Sequence, residues 1–227
     1  MSVFRSVDVE CPGCGTVAHV NLVLSVNADR RPDLRDAIID GSFQRFACAS
    51  CGTSQRIDPA FTYVNLARKQ YVGVWPTARR SDWQAAAAET QAAFEKAYGK
   101  AATGKAKDLG AGVQVRAVFG WAALVEKILA AGAGIDDRTL ELLKILVMRR
   151  SPSTPVPGDI ELRLVAVDGG DPVIGWVDPV DGSVGEARKV GGGAVAAIEA
   201  EPEAWAALRT DLGKGPVVDF QRDMLPA

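Results

Sequence analysis

The sequence has a single histidine, His19, and no cysteine beyond residue 51. No Ser-His-Asp or Cys-His arrangement can be assembled without that one imidazole. No apolar run approaches the roughly 20 residues that cross a bilayer. Met1-Ser2-Val3-Phe4-Arg5 opens the chain without the apolar stretch of a signal peptide, so the sequence reads as a cytoplasmic protein with no membrane association. It also lacks a polybasic segment. The formal net charge is −2, with +3 in residues 1–80 and −5 in the remainder, whereas a dedicated nucleic-acid binder carries a basic stripe. Phosphate-binding loops are missing as well. Gly110-Ala111-Gly112 and Gly132-Ala133-Gly134 have neither a third glycine nor a preceding strand, and Gly191-Gly192-Gly193 is not followed by Lys-Ser/Thr.

What is present is concentrated. All four cysteines lie within the first 51 residues, as Cys11-Pro12-Gly13-Cys14-Gly15 and Cys48-Ala49-Ser50-Cys51-Gly52. Two residues between cysteines let a tight turn aim both sulfurs at one ion, and the following glycine supplies positive φ. A reducing compartment disfavours disulfides, and a redox pair would open a helix in a βαβ setting. Two such turns complete an all-thiolate tetrahedron. Cys11, Cys14, Cys48 and Cys51 are therefore the expected ligands of one structural Zn²⁺, iron being the chemical alternative. His19, five residues past Cys14, reads as a sheet-surface residue rather than a ligand.

Thirty-three residues separate Cys14 from Cys48, more than the roughly 15–20 of a plain ribbon. The insertion reads as strand, helix, strand. Val17, Val20, Leu22, Leu24 and Val26 alternate, and Asp29 offers an N-cap before Pro32. Leu34, Ala37 and Ile38 share a helical face, Gly41 is the stop, and Phe43–Phe46 leads as a strand into the second knuckle. Phe61–Leu66 and Gln70–Trp75 form a hairpin around Ala67-Arg68-Lys69. Over about Val9 to Pro76 the chain resembles the CpXC family. The likeness is carried by C-P-G-C-G, Ser25-Val26-Asn27-Ala28-Asp29, Ile38-Ile39-Asp40-Gly41, the second C-x-x-C-G and Trp75-Pro76. The second knuckle reads C-A-S-C and lacks the proline. That resemblance implies a fold and no reaction.

The expected class is α+β: a zinc-stapled antiparallel sheet with one inserted helix in residues 1–80, then a helical and β-hairpin region in 81–227. Helices are expected over about 82–98 (with Ser81 as N-cap), 114–131, 137–149 (capped by Asp136) and 203–212. Strands are expected at 160–166 and 173–177, with a last one at 216–220. Residues 101–112 read as a loop, and Pro152, Pro155 and Pro157 break the chain. The 114–131 and 137–149 pair invites a helix-turn-helix reading. Leu140, Leu142, Leu143, Ile145, Leu146, Val147 and Met148 make its second helix apolar nearly all round, which points to core packing instead.

Three functions follow. A filled metal shell and no catalytic set favour a non-enzymatic interaction or adaptor module with a protein partner. Phe43, Phe46, Phe61, Tyr63, Tyr71 and Trp75, interleaved with Arg45, Arg56, Arg68 and Lys69, support a nucleic-acid or transcription role as the alternative. A hydrolase or transferase using C-terminal carboxylates is the third. Asp168, Asp171, Asp178 and Asp181 could gather a cation or serve as a carboxylate pair, although Asp and Gly are also what turns are made of.

Overall fold

The computed structural model describes residues 2–58, 60–150, 160–179 and 181–222. The breaks expected at Pro152, Pro155 and Pro157 lie outside those residues.

The larger sheet has five strands. β1 (Val3–Glu10) and β2 (Val17–Asn27) form a long antiparallel hairpin. β2 lies parallel to β5 (Phe61–Asn65), β5 antiparallel to β6 (Gln70–Trp75), and β6 parallel to β7 (Gln114–Phe119). The sheet is thus mixed rather than wholly antiparallel. Each parallel step needs a crossover. The first runs through α1 (Pro32–Ile39) and the small ladder of β3 (Arg45–Ala47) with β4 (Ser54–Arg56). The second runs through a 3-10 turn, Thr77–Asp82, and α2 (Trp83–Ala97) and α3 (Lys105–Gly110). α3 occupies part of the stretch expected to be loop.

Alternation along the strands loads both faces. Val72 and Val74 join Val23, Val26 and Tyr63 beneath α1 and α4 (Gly120–Gly132). Tyr71 and Trp75 face α2 on the other side. α2 approaches closely because β6 has glycine at its centre. A Cβ on Gly73 would lie 2.3 Å from Thr90 Oγ1, the hydroxyl that accepts from Trp75 Nε1 at 2.9 Å.

α4 is apolar on most sides and is covered on both. One face meets the five-stranded sheet and the other meets β8 (Glu161–Asp168) of a second, antiparallel sheet ordered β10–β9–β8. β9 is Asp171–Val177 and β10 is Val184–Lys189. α5 (Asp137–Arg150), α6 (Gly193–Ala200) and α7 (Ala206–Leu212) complete that second core.

Several boundaries differ from the sequence reading. Residues 114–119 are a strand, not the first turns of a helix. Their pattern is two-residue alternation beside β6, and Gly120 at φ 76° makes the switch to α4. Asp29 does not cap α1, whose N-cap position is Arg31. Its carboxylate accepts from Leu66 N (2.7 Å) and Ala67 N (3.2 Å), tying the β5–β6 turn. Ser81 lies inside the 3-10 turn rather than capping α2. Asp136 does cap α5, accepting from Thr139 N at 3.0 Å. Residues 216–220 form no strand, but Pro216 O accepts from Ala117 N at 3.0 Å and covers the outer edge of β7. β10 and α6 had no sequence expectation.

The largest departure concerns β8. Glu161 and Arg163 alternate with the apolar residues of the strand, yet both are buried. They join a network that crosses the molecule. Arg163 meets Glu161 (2.6 Å), Asp219 (2.8 Å) and Glu126 (3.2 Å), and Lys144 meets Glu141 (2.8 Å) and Glu126 (3.1 Å). Lys127 lies 3.5 Å from Glu141 and 3.6 Å from Asp137, which Arg116 also pairs, and Arg80 pairs with Glu161. Arg80, Arg116, Lys127, Lys144 and Arg163 thus balance Glu126, Asp137, Glu141, Glu161 and Asp219. Burying a charge is tolerated only when it is paired.

Removing one partner leaves the others uncompensated. Lys144→Met is expected to cost about 3–5 kcal/mol in urea unfolding, against under about 1 kcal/mol for an exposed pair such as Lys214→Met. Acid should act through the same groups. Burial pushes the Asp137 carboxyl up, but Lys127 and Arg116 outweigh it and hold the group at about 2. A carboxylate held below its ordinary value adds stability above that value and loses it as pH falls through the folded one. The contribution from Asp137, about 2 kcal/mol, should therefore disappear between about pH 5 and about pH 2, seen as a falling urea midpoint that Asp137→Asn flattens.

Candidate metal centre

Each cysteine pair sits at the tip of a hairpin. Glu10 and Val17 are the last paired residues of β1 and β2, and Ala47 and Ser54 those of β3 and β4. Between them the two six-residue loops adopt the same conformation. Gly15 and Gly52 take φ of 71° and 74°. Gly15 N donates to Cys11 O at 2.9 Å and Gly52 N to Cys48 O at 2.8 Å. Cys11 N donates to Thr16 O and Cys48 N to Thr53 O, both at 2.9 Å.

The second hairpin is short and is held by its base. Gln44 adopts φ 57°, and its Oε1 accepts from Val23 N at 3.2 Å while its carbonyl accepts from Ile57 N at 3.1 Å. Trp121 Nε1 donates to Ile57 O at 2.9 Å. The Phe43, Phe61 and Trp121 rings pack together beneath, with centroids 5.6–6.5 Å apart. These contacts aim the second tip at the first.

The sulfurs converge. Cys11 Sγ and Cys51 Sγ are 3.6 Å apart, Cys14 Sγ and Cys48 Sγ 3.7 Å apart, and all four lie within 4.8 Å of one another. A tetrahedron with metal–sulfur bonds of about 2.3 Å has edges of about 3.8 Å, so the four cysteines can hold a metal ion. The donors around them fit thiolates. Thr16 Oγ1 lies 3.3 Å from Cys14 Sγ, Thr53 Oγ1 lies 3.1 Å from Cys51 Sγ, and Gly13 N points at Cys11 Sγ from 3.4 Å. The Thr53 hydroxyl and backbone N–H hold the Cys51 thiol down at about 6. Cys11 is buried while Cys14 and Cys51 are exposed, so one side of the centre faces solvent.

Three residues of this centre escaped the sequence reading. The repeat is C-x-x-C-G-T, and the threonine extends the two glycine-ended motifs by one informative position. Gly13 answers a different need. A Cβ there would fall 2.6 Å from Thr53 Oγ1, so glycine lets the first knuckle seat against the second. Ser50, its counterpart, needs no such approach.

The remaining sequence candidates disperse. His19 is 82% exposed on β2, paired with Asp8 across the hairpin. Asp168 and Asp171 share Lys189 at the β8–β9 turn (2.9 and 3.6 Å). Asp178 and Asp181 lie beyond the other end of β9, where Asp181 accepts from Ser183 N at 2.7 Å. The four carboxylates do not meet, because a whole strand separates the two turns. The aromatic residues split between the two faces of the sheet, with Tyr71 against Phe94 and Tyr98, so they do not form one stacking surface. Gly110 and Gly132 end helices rather than open them. Among the described residues the four cysteines are the one group able to ligate a metal through three or more such side chains, and no helix there is long and apolar enough to cross a membrane.

Hydroxyl donors to thiolates tune metal affinity. Thr53→Val keeps the volume and removes the donor, and should weaken metal binding about 10- to 100-fold in competition with a chromophoric chelator. Gly13→Ala, which pushes Thr53 aside, should lower affinity in the same direction.

No curated protein and no solved structure matches the chain. The family model described as CpXC protein matches residues 9–144, from just before the first knuckle to within α5. With more than half of its length matched and both cysteine pairs inside the match, the chain belongs to the CpXC family.

Proposed function

We propose that Cys11, Cys14, Cys48 and Cys51 hold one Zn²⁺ as a structural staple, in the manner of a zinc ribbon. On this reading the protein is a cytoplasmic, non-enzymatic adaptor whose surfaces bind a protein partner. The observation that carries the zinc reading is the closed sulfur shell: four thiolates at tetrahedral spacing leave no coordination position for water or substrate. A metal so enclosed stabilises a fold and does not activate a nucleophile. The C-terminal carboxylates give no competing catalytic set, because Glu126, Glu141, Glu161 and Asp219 are all engaged by buried cations.

Metal analysis of protein purified from cells grown with both zinc and iron tests the ion. One equivalent of zinc, lost in Cys48→Ser, is expected; stoichiometric iron would overturn the assignment. Ligand loss should also melt the β3–β4 ladder, whose three-residue strands are too short to persist alone. Amide exchange would show this as lost protection in residues 45–56, with β5 and β6 still protected. For the adaptor role, affinity purification of the tagged full chain from its source cell should recover a partner in stoichiometric amount. Recovery of none counts against the role.

A further inference from the structure

Arg80, Glu161 and Arg163 each keep a buried atom without a hydrogen bond, but the ion-pair network holds all three. Gln70, the first residue of β6, has no such compensation. It is 7% exposed, and its Nε2 donates to Lys127 O at 2.8 Å. That bond fixes which way the amide faces. Oε1 is left buried with no donor among the described residues, a costly condition that calls for a partner.

Gln70 also lines a cavity of about 280 Å³ between the starts of β6 and β7 and the α4–α5 turn. The charges around it are balanced. Arg116 Nη2 donates to Asp137 Oδ1 at 3.0 Å, and Lys127 lies 3.6 Å from Asp137 and 3.5 Å from Glu141. Asp136 accepts from Thr139 N at 3.0 Å and lies 3.8 Å from Arg138 and 3.9 Å from Arg209. Arg68, exposed at the rim, donates from Nη1 to Ala131 O at 3.0 Å, where the carbonyl end of α4 is partly negative. An ion would upset this balance, so the cavity suits an uncharged ligand. Val72, Ala130 and Ile135 give it an apolar side.

Two hydrogen-bonding needs remain unmet at this cavity. Gln70 Oε1 lacks a donor, and Arg68 Nε and Nη2 lack acceptors among the described residues. A hydroxyl carries both functions on one atom and cannot serve a buried group and a rim group together. A carboxamide separates them, donating from its nitrogen and accepting at its carbonyl, without a charge. We propose that this cavity binds a small uncharged molecule through a carboxamide, the N–H₂ donating to Gln70 Oε1 and the carbonyl accepting from Arg68. The apolar side takes the rest of the molecule, and the modest volume limits that remainder to a ring or a short chain.

The test titrates the full, metal-loaded chain with benzamide, acetophenone and benzoate, followed by amide NMR. The three share a shape, but acetophenone has a methyl group in place of the donor and benzoate carries a charge. Benzamide is expected to give saturable shifts of the Gln70 side-chain amide and of the Gly134 and Ile135 backbone amides. Acetophenone and benzoate should bind at least about tenfold more weakly. Gln70→Met, close in volume but without the acceptor, should weaken benzamide at least about tenfold. Because it also loses the bond to Lys127 O, a second variant is made at the exposed rim. Arg68→Met should weaken benzamide about threefold or more. Absence of saturable shifts, which leaves the cavity to water, would overturn the proposal. So would shifts confined to other residues, acetophenone or benzoate binding as tightly as benzamide, or undiminished binding by either variant.

Discussion

The charge balance around α4 is the constraint on which the arrangement of the other elements rests. Glu126 and Lys127 are adjacent on that helix and face away from the apolar residues that bind it to the large sheet. Neither can be buried alone. Their ion-pair partners come from α5 and β8, and those are paired in turn by the 3-10 turn, by β7 and by the extended segment at Asp219. An apolar helix between two sheets could slide or rotate with little change in buried area. With paired ions on it, any displacement breaks a salt bridge in a low-dielectric interior, so the network fixes register. It also joins the two sheets into one structure, because Arg116 belongs to the first, Arg80 to the crossover between two of its strands, and Glu161 and Arg163 to the second.

The metal centre works on a smaller scale and in the opposite manner. It lies at the tip of the molecule and ties two hairpins that share little apolar surface. The first is continuous with the main sheet and the second hangs from Gln44, Phe43 and Trp121. The sulfurs and the Gly13–Thr53 approach join the tips. The repeated C-x-x-C-G-T loops give the joint a twofold likeness that ends at Gly13, where one side yields space to the other.

Local patterns were readable in the sequence where short-range chemistry sets the outcome. The cysteine pairs, the positive-φ glycines, the Ala67–Lys69 turn and the Asp136 cap fall in this class. Patterns decided by distant partners were not. Gln114–Phe119 contains enough apolar residues to extend the following helix, and only the neighbouring β6 makes it a strand. Asp29 has the spacing of a cap but finds the amides of Leu66 and Ala67, 37 and 38 residues away. Glu161 and Arg163 alternate as solvent-facing residues do, because alternation reports two faces and not which one is wet. Of the metal centre, the ligands were legible, while Thr16, Thr53 and the role of Gly13 depend on how two loops meet.

The order of the chain adds a temporal consequence to the network. Asp219 and the carbonyl of Val218 supply partners to Arg163 and Lys127, and Pro216 covers the edge of β7. These residues come late in the sequence. During synthesis, domains condense from the N-terminus as it emerges. The large sheet can therefore assemble early, while Arg163 and Lys127 still lack their last counter-groups and β7 still shows an open edge. The 216–219 segment acts as a latch. Until it docks, the interior carries excess positive charge, and closure of the fold waits for it.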